Sequence, residues 1–175
     1  MFPLVSKLVK SRHALSRRDR KCLLERVKSE LGGELAEELS ESEVVEKIET
    51  RIGATLYVFD GEALILERGG RLYPTILCAV RHRLDLPTVV VDMGAVSHIV
   101  NGADVMVPGI VSIEGEFERG DVVVVVDEEK SRAFCIGEAL MASREILEAK
   151  RGRAIKNVHH ARDKLWELVW RPRLT

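Results

Sequence analysis

Few side chains in this 175-residue chain have the types and spacing that chemistry needs. Cys78 and His82 stand four apart, which on a helix places both on one face in possible metal geometry. Two ligands fall short of the four that structural zinc takes, and a core thiol is the simpler account of Cys78. His159-His160 offers imidazoles for proton transfer or a phosphate contact. Without a partner carboxylate at a defined distance, they read as surface or core histidines. Asp92, Asp104 and Asp121 sit beside Gly-rich breaks and read as caps and turn formers. The sequence contains no G-x-S-x-G elbow, no P-loop lysine and no Rossmann fingerprint. The expectation is a chain without catalytic residues, cofactor or bound metal.

What remains is backbone chemistry, concentrated in Val90 to Ile110, VVDMGAVSHIVNGADVMVPGI. The β-branched run Thr88 to Val91 predicts a strand. Asp92 follows as an N-cap, its carboxylate placed to accept from the open N–H groups of the next turn. Ala95, Val96, Ile99 and Val100 recur at helical spacing, and Asn101-Gly102 ends that helix. Val105 to Val107 predicts a second strand, closed by Pro108-Gly109. The turn and the Pro-Gly corner leave backbone near the surface without bulky side chains above it. A flat ligand or a sugar-phosphate backbone could approach there. The alternative is a plain tight crossover whose glycines only satisfy dihedral angles.

The elements downstream must position that stretch. Val111 to Gly115 reads as strand and turn. Gly120-Asp121 turns into Val122 to Val126, apolar throughout and expected to be buried on both faces. Ala133 to Met141 is its expected partner, with Gly137 a bulge or close-approach point. Ser143 is expected to cap a short helix through Lys150. Arg153 to Val158 and Lys164 to Val169 are expected to finish the sheet as strands. Many short strands with two small helices suggest a small closed barrel.

The order Asp92-Met-Gly94-Ala95, Asn101-Gly102-Ala103-Asp104, Met106-Val107-Pro108-Gly109-Ile110, Phe117 and Gly120-Asp121 resembles the PUA domain, an RNA-binding module. The resemblance continues through Gly137 to Met141, Ser143 to Ile146, Gly152, and His159 with Asp163, Leu165 and Trp166, about half the chain. Upstream, Tyr73-Pro74-Thr75 on a helix running into Leu86-Pro87 is similar to the malignant T-cell-amplified sequence family, in a short archaeal-type version. The resemblance implies an α+β chain. Residues 1–86 would be a pre-PUA domain, and residues 87–175 a PUA pseudo-barrel of short mixed strands with small helices. It also implies an RNA surface of Gly94, Ala95, His98, Asn101, Gly102, Ala103, Met106, Pro108 and Gly109, bordered by Arg151, Arg153, Lys156, His159 and Arg162. Strand alternation puts Arg153 and His159 on one face with Arg151, and Lys156 on the other unless a bulge intervenes. The implied function is non-enzymatic RNA binding in translation, touching rRNA or tRNA near the small ribosomal subunit during initiation or recycling. A protein partner resembling density-regulated protein is implied for the first domain, although no residue of 1–86 carries its contacts over. The other class of reading is an accessory or specificity subunit of an RNA-modifying enzyme.

The first half reads as α+β from its own pattern. Pro3 to His13 is expected to be an edge strand. Ser16 caps a helix from Arg17 to Leu31, with Leu23, Leu24, Val27 and Leu31 as its apolar stripe. Leu35 to Ser40 is a short helical or irregular piece, and Glu43 to Glu49 starts a strand. Ala54 to Phe59 and Ala63 to Glu67 flank Asp60-Gly61, a hairpin signal. Gly69-Gly70 ends the hairpin. Pro74 is expected in the first turn of a helix whose apolar face is Ile76, Leu77, Val80 and Leu84.

A net charge of −1 conceals segregation. Residues 1–28 carry nine basic and two acidic side chains, and residues 150–175 carry eight and two. The intervening residues hold ten basic and 24 acidic ones. A polyanion responds to such local patches, not to the total. Arg17, Arg18, Arg20 and Lys21 also sit where the helix dipole disfavours them, by about 0.3–1 kcal/mol per charge. Solubility alone would account for them equally well. Three scattered cysteines without a C-x-x-C, Cys22, Cys78 and Cys135, suggest reduced thiols. No apolar run approaches 18 residues, so no membrane helix is expected, nor a signal peptide in the first nine residues. The expected location is cytoplasmic.

Overall fold

The computed structural model describes residues 7–172, and the chain forms two compact units. One comprises Met1–Asp85 with Leu165–Thr175, the other Leu86–Lys164.

The first unit is a five-stranded antiparallel sheet in simple sequential order: β1 (Val9–Ala14), β2 (Val45–Thr50), β3 (Ala54–Phe59), β4 (Glu62–Arg68) and β5 (Arg71–Pro74). The expected strand start from Pro3 to Ser6 lies outside the described residues. Between β1 and β2 run α1 (Arg17–Leu31) and α2 (Gly33–Ser40). Ser16 caps α1 by accepting from the Asp19 N–H at 3.1 Å. Leu23, Val27 and Leu31 bury its inner face, while Leu24 is only half-buried. Each such buried side chain contributes about 1.5–3 kcal/mol. Asp60 and Gly61 both adopt positive φ, as a two-residue hairpin with the sheet's twist requires.

Several expectations fail here. Gly69-Gly70 does not end the hairpin but turns it into β5, since both glycines take positive φ. Tyr73 and Pro74 therefore lie on a strand, and Thr75 caps the following helix α3 (Ile76–Arg81), accepting from the Cys78 N–H at 3.1 Å. The helix stops at the extended His82, so Leu84 lies beyond it, and Val80 is exposed. Trp166–Trp170 forms helix α6 packed on β4, where a strand of the second sheet was expected. The second domain was expected to run unbroken to residue 175. Instead Leu165, Leu168 and Val169 are buried and their segment groups with the first unit, because a five-residue helix with one apolar side needs a sheet face to cover it.

The second unit is a six-stranded mixed sheet, ordered β7–β11–β10–β9–β6–β8. Its strands are β6 (Thr88–Val91), β7 (Val105–Met106), β8 (Ile110–Glu114), β9 (Val122–Asp127), β10 (Ala133–Ala139) and β11 (Arg153–His160). β6 and β9 are parallel; every other pairing is antiparallel. The hydrogen-bonded order does not close on itself: β7 and β8 are edges, joined by the 3-10 turn Val107–Gly109. The sheet is thus a pseudo-barrel, open where a closed barrel had been expected. Helices α4 (Met93–Ile99) and α5 (Ser143–Glu148) complete it. All six residues of β9 are buried, as the continuous apolar run predicts. Val91, Ile99, Val105, Phe117, Val125 and Ile155 meet in its core.

Ser143 is the first residue of α5, not its cap. Its hydroxyl instead pairs with the Phe117 backbone, and Ala142 precedes the helix. Glu145 does the capping, accepting from the Ala142 N–H at 2.6 Å. Its hydrogen bonds from Arg119 and then from Ala142 hold its carboxyl down at about 2.

Gly137 is a close-approach point. The β10–β11 register shifts beside it, and a Cβ there would lie 2.2 Å from Ile155 Cγ2 and 2.9 Å from the Lys156 carbonyl oxygen. The carbonyl belongs to a strand and cannot swing away. Gly137→Ala should therefore destabilise the protein by about 1–3 kcal/mol. Urea unfolding checks this, and an unchanged midpoint would mean that the two strands separate without cost.

Candidate nucleic-acid interface

Asp92 fixes the start of α4 by accepting from the Ala95 N–H at 2.7 Å. Its own N–H donates to the Gly109 carbonyl at 2.9 Å, so the helix start and the 3-10 turn are tied together. Gly109 is required at that approach: a Cβ on it would lie 2.8 Å from Ala95 Cβ. It is a packing glycine, and Gly109→Val would displace α4 before it disturbed any ligand. At the other end Gly102 takes φ +97, and the Gly102 and Ala103 N–H groups return to the Ile99 and His98 carbonyls at 2.9 and 3.1 Å.

These elements enclose a groove of about 460 Å³. Ala95, His98, Ala103, Met106, Pro108 and Gly109 line it, with Ile99 and the acids Asp92 and Asp104. Ala95, His98, Ala103, Met106, Pro108 and Gly109, all expected at the RNA surface, thus meet in one concavity. Gly94, Asn101 and Gly102 are exposed on the same helix and turn but do not line it. Asn101 is spent on its own helix, donating from Nδ2 to the Ser97 carbonyl at 2.8 Å. Met106 is 46% exposed, which leaves an apolar, polarizable surface at the groove's edge.

The strand residues divide. Arg151 and Lys156 are exposed and form no ion pair among the described residues. Arg151 adjoins Gly152, whose carbonyl accepts from the Val107 N–H at 2.9 Å, so it flanks the 3-10 turn. Arg153 is paired across the strands with Met106 and bonds through Nε to Asp104 Oδ2 at 2.9 Å. Its charge is neutralised locally. Arg162 is exposed at a positive-φ turn position.

His159 departs from expectation. It is fully buried, and its Nδ1 lies 2.6 Å from Asp163 Oδ2. Residues 159 and 157 pair with consecutive residues of β10, so Val158 is an extra residue and strict alternation breaks. Ala154 and Ile155 are likewise both buried, between the exposed Arg153 and Lys156. The register also slips between Arg153 and Ile155, and His159 is buried where Arg153 is exposed, so the two do not present one surface. Asp163 also accepts from the His160 N–H at 3.1 Å, so this pair holds the turn after β11.

Two residues that position the groove were not singled out for it in the sequence. Asn157 donates from Nδ2 to the Ile99 carbonyl at 3.0 Å and the Ala103 carbonyl at 2.9 Å. Asp104, read as a turn former, accepts from the Asn157 N–H at 2.8 Å and from Arg153. The available signal was Asn157 itself, a residue disfavoured in strands that needs partners to stand there.

The remaining titratable candidates do not assemble. Cys78 and Cys135 are buried, and burial pushes both thiols up, away from thiolate. His82 lies past the end of α3 and contacts Glu38 at 3.0 Å. Among the described residues no three His, Cys, Asp or Glu side chains are grouped as metal ligands. No helix among them is long and apolar enough to cross a membrane.

Comparison with known proteins adds to this geometry. The PUA domain family matches residues 87–161, and a domain of unknown function (DUF1947) matches residues 11–82. An uncharacterized protein of Methanocaldococcus jannaschii is 36% identical over 162 residues, covering 90% of this chain and 96% of that one. Translation machinery-associated protein 20 of Saccharomyces cerevisiae is 34% identical over 139 residues, 76% of this chain and 75% of the yeast protein. The chain belongs to the family of translation machinery-associated protein 20 and the malignant T-cell-amplified sequence proteins. Malignant T-cell-amplified sequence 1 of Danio rerio is 34% identical over 62% of each chain. Among solved structures, a hypothetical protein of Pyrococcus horikoshii matches with a TM-score of 0.78 and 33% identity, covering 91% of this chain and 99% of that one. A PUA-domain structure from Aeropyrum pernix gives 0.78 and 33%, covering 92% and 91%. The α+β architecture, a pre-PUA region followed by a PUA domain, is thus that of the family.

Asn157 and Arg153 should respond differently to truncation. Asn157→Ala removes two hydrogen bonds, of which the Ile99 carbonyl keeps a second donor in the Gly102 N–H, and at about 0.5–1.5 kcal/mol each should cost about 1–3 kcal/mol. Arg153→Ala removes only an exposed ion pair and should cost less than about 1 kcal/mol. Thermal or urea unfolding of both variants checks the order; equal losses would mean that Asn157 does not anchor the turn.

Proposed function

We propose that this family member is a non-enzymatic RNA-binding protein of the translation apparatus. It would contact rRNA or tRNA at the small ribosomal subunit, in initiation or recycling, and work in the cytoplasm. The observation that carries the reading is the groove beside α4, with its small-residue lining and exposed Met106. Such a surface admits a base or sugar that a walled pocket would exclude. Met106 and His98 offer it contact area, and the Gly94, Gly102 and Ala103 backbone is open beside it. Arg151 and Lys156 are the free cations of β11 and its approach, suited to phosphates. Arg153, held by Asp104, would act mainly by shaping the groove, and His159 by holding the turn through Asp163. The family's translation machinery-associated members support the cellular setting. Burial pushes the Cys78 and Cys135 thiols away from thiolate, which argues against catalysis by either. The first unit would bind a protein partner resembling density-regulated protein, a reading supported by the likeness to the family and not by any contact residue of 1–86.

Each phosphate contact releases about 0.7 counterion from single-stranded RNA. Arg151→Ala and Lys156→Ala should each weaken binding similarly across sequences and flatten the log affinity against log salt plot by about that amount. Arg153→Ala should flatten it less. Fluorescence anisotropy over a salt series measures the slopes. If Arg17→Ala/Arg18→Ala changes the slope and the β11 variants leave it alone, RNA binding belongs to the first unit instead.

A further inference from the structure

The first unit carries a groove of its own, of about 700 Å³, between α1 and α2. One wall is the α1 stripe Arg17, Lys21, Leu24 and Lys28, spaced four, three and four apart and so on one helical face. The opposite wall is Gly33 and Ala36 of α2. Leu24 is half-buried and Ala36 buried, which gives an apolar strip between charged rims.

The cations here differ in employment. Arg20, also at the groove, is tied to the end of α2. It donates to the Ser40 carbonyl at 2.7 Å, to the Glu43 carbonyl at 3.3 Å, and to the Ser42 carbonyl. That bond set explains Arg20 as a clamp for orphan carbonyls at a helix C-terminus. Arg17, Lys21 and Lys28 have no ion pair among the described residues, and all three are exposed. Arg17 and Lys21 stand in the first turns of α1, where the dipole disfavours them. Among the described residues the fold gives these three cations no ion-pair partner.

We propose that this groove docks an acidic amphipathic helix of a partner protein, with apolar residues on the Leu24–Ala36 strip and carboxylates on Arg17, Lys21 and Lys28. Helix-in-groove docking takes apolar contacts along a channel and charges on its rim, and this groove offers the Leu24–Ala36 strip with Arg17, Lys21 and Lys28 beside it. A nucleic acid fits less well. Glu25 and Glu37 also line the groove and would oppose a continuous phosphate backbone, and no aromatic side chain there offers a stacking surface. A peptide can place its carboxylates against the cations and neutral residues against the two acids. The inference rests on the reading that the first unit serves a protein partner and does not depend on RNA binding by the second.

The probe is a fluorescein-labelled helical peptide of Glu, Ala and Leu, with a Lys-for-Glu version as its reverse. The full chain should bind the acidic peptide saturably and the basic one far more weakly. Arg17→Glu/Lys21→Glu/Lys28→Glu should weaken the acidic peptide by at least about tenfold and make the chain prefer the basic one. Inversion of preference is a readout that loss of folding cannot mimic. Gly33→Phe adds bulk to the groove wall at a position where a Cβ meets nothing within 4 Å and the backbone is not left-handed. It should abolish peptide binding while leaving the charge intact. Single-stranded RNA affinity is measured on the same variants. Peptide binding that fails while RNA binding survives overturns this inference alone; RNA binding that fails while the peptide still binds overturns the functional reading alone. Equal binding of both peptides also overturns it.

Discussion

The groove of the second unit depends on how the carbonyls at the end of α4 are satisfied. A helix leaves its last carbonyls without intrahelical partners, and burying them unpaired costs about 1–3 kcal/mol each. Here the Asn157 side chain takes the Ile99 and Ala103 carbonyls together, from the neighbouring strand. Asp104 then takes the Asn157 N–H and the Arg153 guanidinium. The turn at Gly102 is thereby fixed to β11 at both ends. With the turn in place, Val105 and Met106 pair with β11, the 3-10 corner follows, and Gly109 can press against Ala95. An open, small-residue groove is what remains between helix and corner. The same network explains why Arg153, basic and exposed, is a poor source of free charge.

The sequence made local chemistry legible and long-range pairing obscure. Ser16 and Asp92 could be read as caps because a cap's partner lies three residues away. Asp60-Gly61 and Val122 to Val126 carried their structure in their own composition. Gly137 announced a close approach, though not to which residue. By contrast, β5 was lost because Gly69-Gly70 reads equally as a terminus or a turn. The helix Trp166–Trp170 was read as a strand because five residues are too few for a helical period to assert itself, and its assignment depends on the first unit's sheet. His159 was misplaced because the register of β11 slips twice, at Ala154 and at Val158, which no periodicity reveals. Of the groove itself, the lining residues were legible and their anchors, Asn157 and Asp104, were not, since those act across about fifty residues of chain.

Charge segregation takes on a sharper meaning once employed and idle cations are separated. Arg12 is committed to Glu46, Arg20 to the end of α2, Arg26 to Glu30 and Glu67, and Arg153 to Asp104. Arg119 and Arg144 pair with Glu145 and Glu118. These hold elements together and should be weak determinants of any partner. Arg17, Lys21 and Lys28 in one unit, and Arg151 and Lys156 in the other, have no such work in the fold. Two basic surfaces with different companions suit two different partners: small residues and Met106 in one case, an apolar strip flanked by Glu25 and Glu37 in the other.

The central claim, that RNA meets the chain at the α4 groove, is tested most directly by amide chemical shifts. A short single-stranded RNA titrated into the ¹⁵N-labelled protein should move the Gly94, Ala95, Gly102, Ala103, Met106 and Gly109 amides along one saturable curve. The Arg17 to Lys28 amides should remain in place. Shifts confined to Arg17 to Lys28, with the α4 groove silent at saturation, would contradict the account.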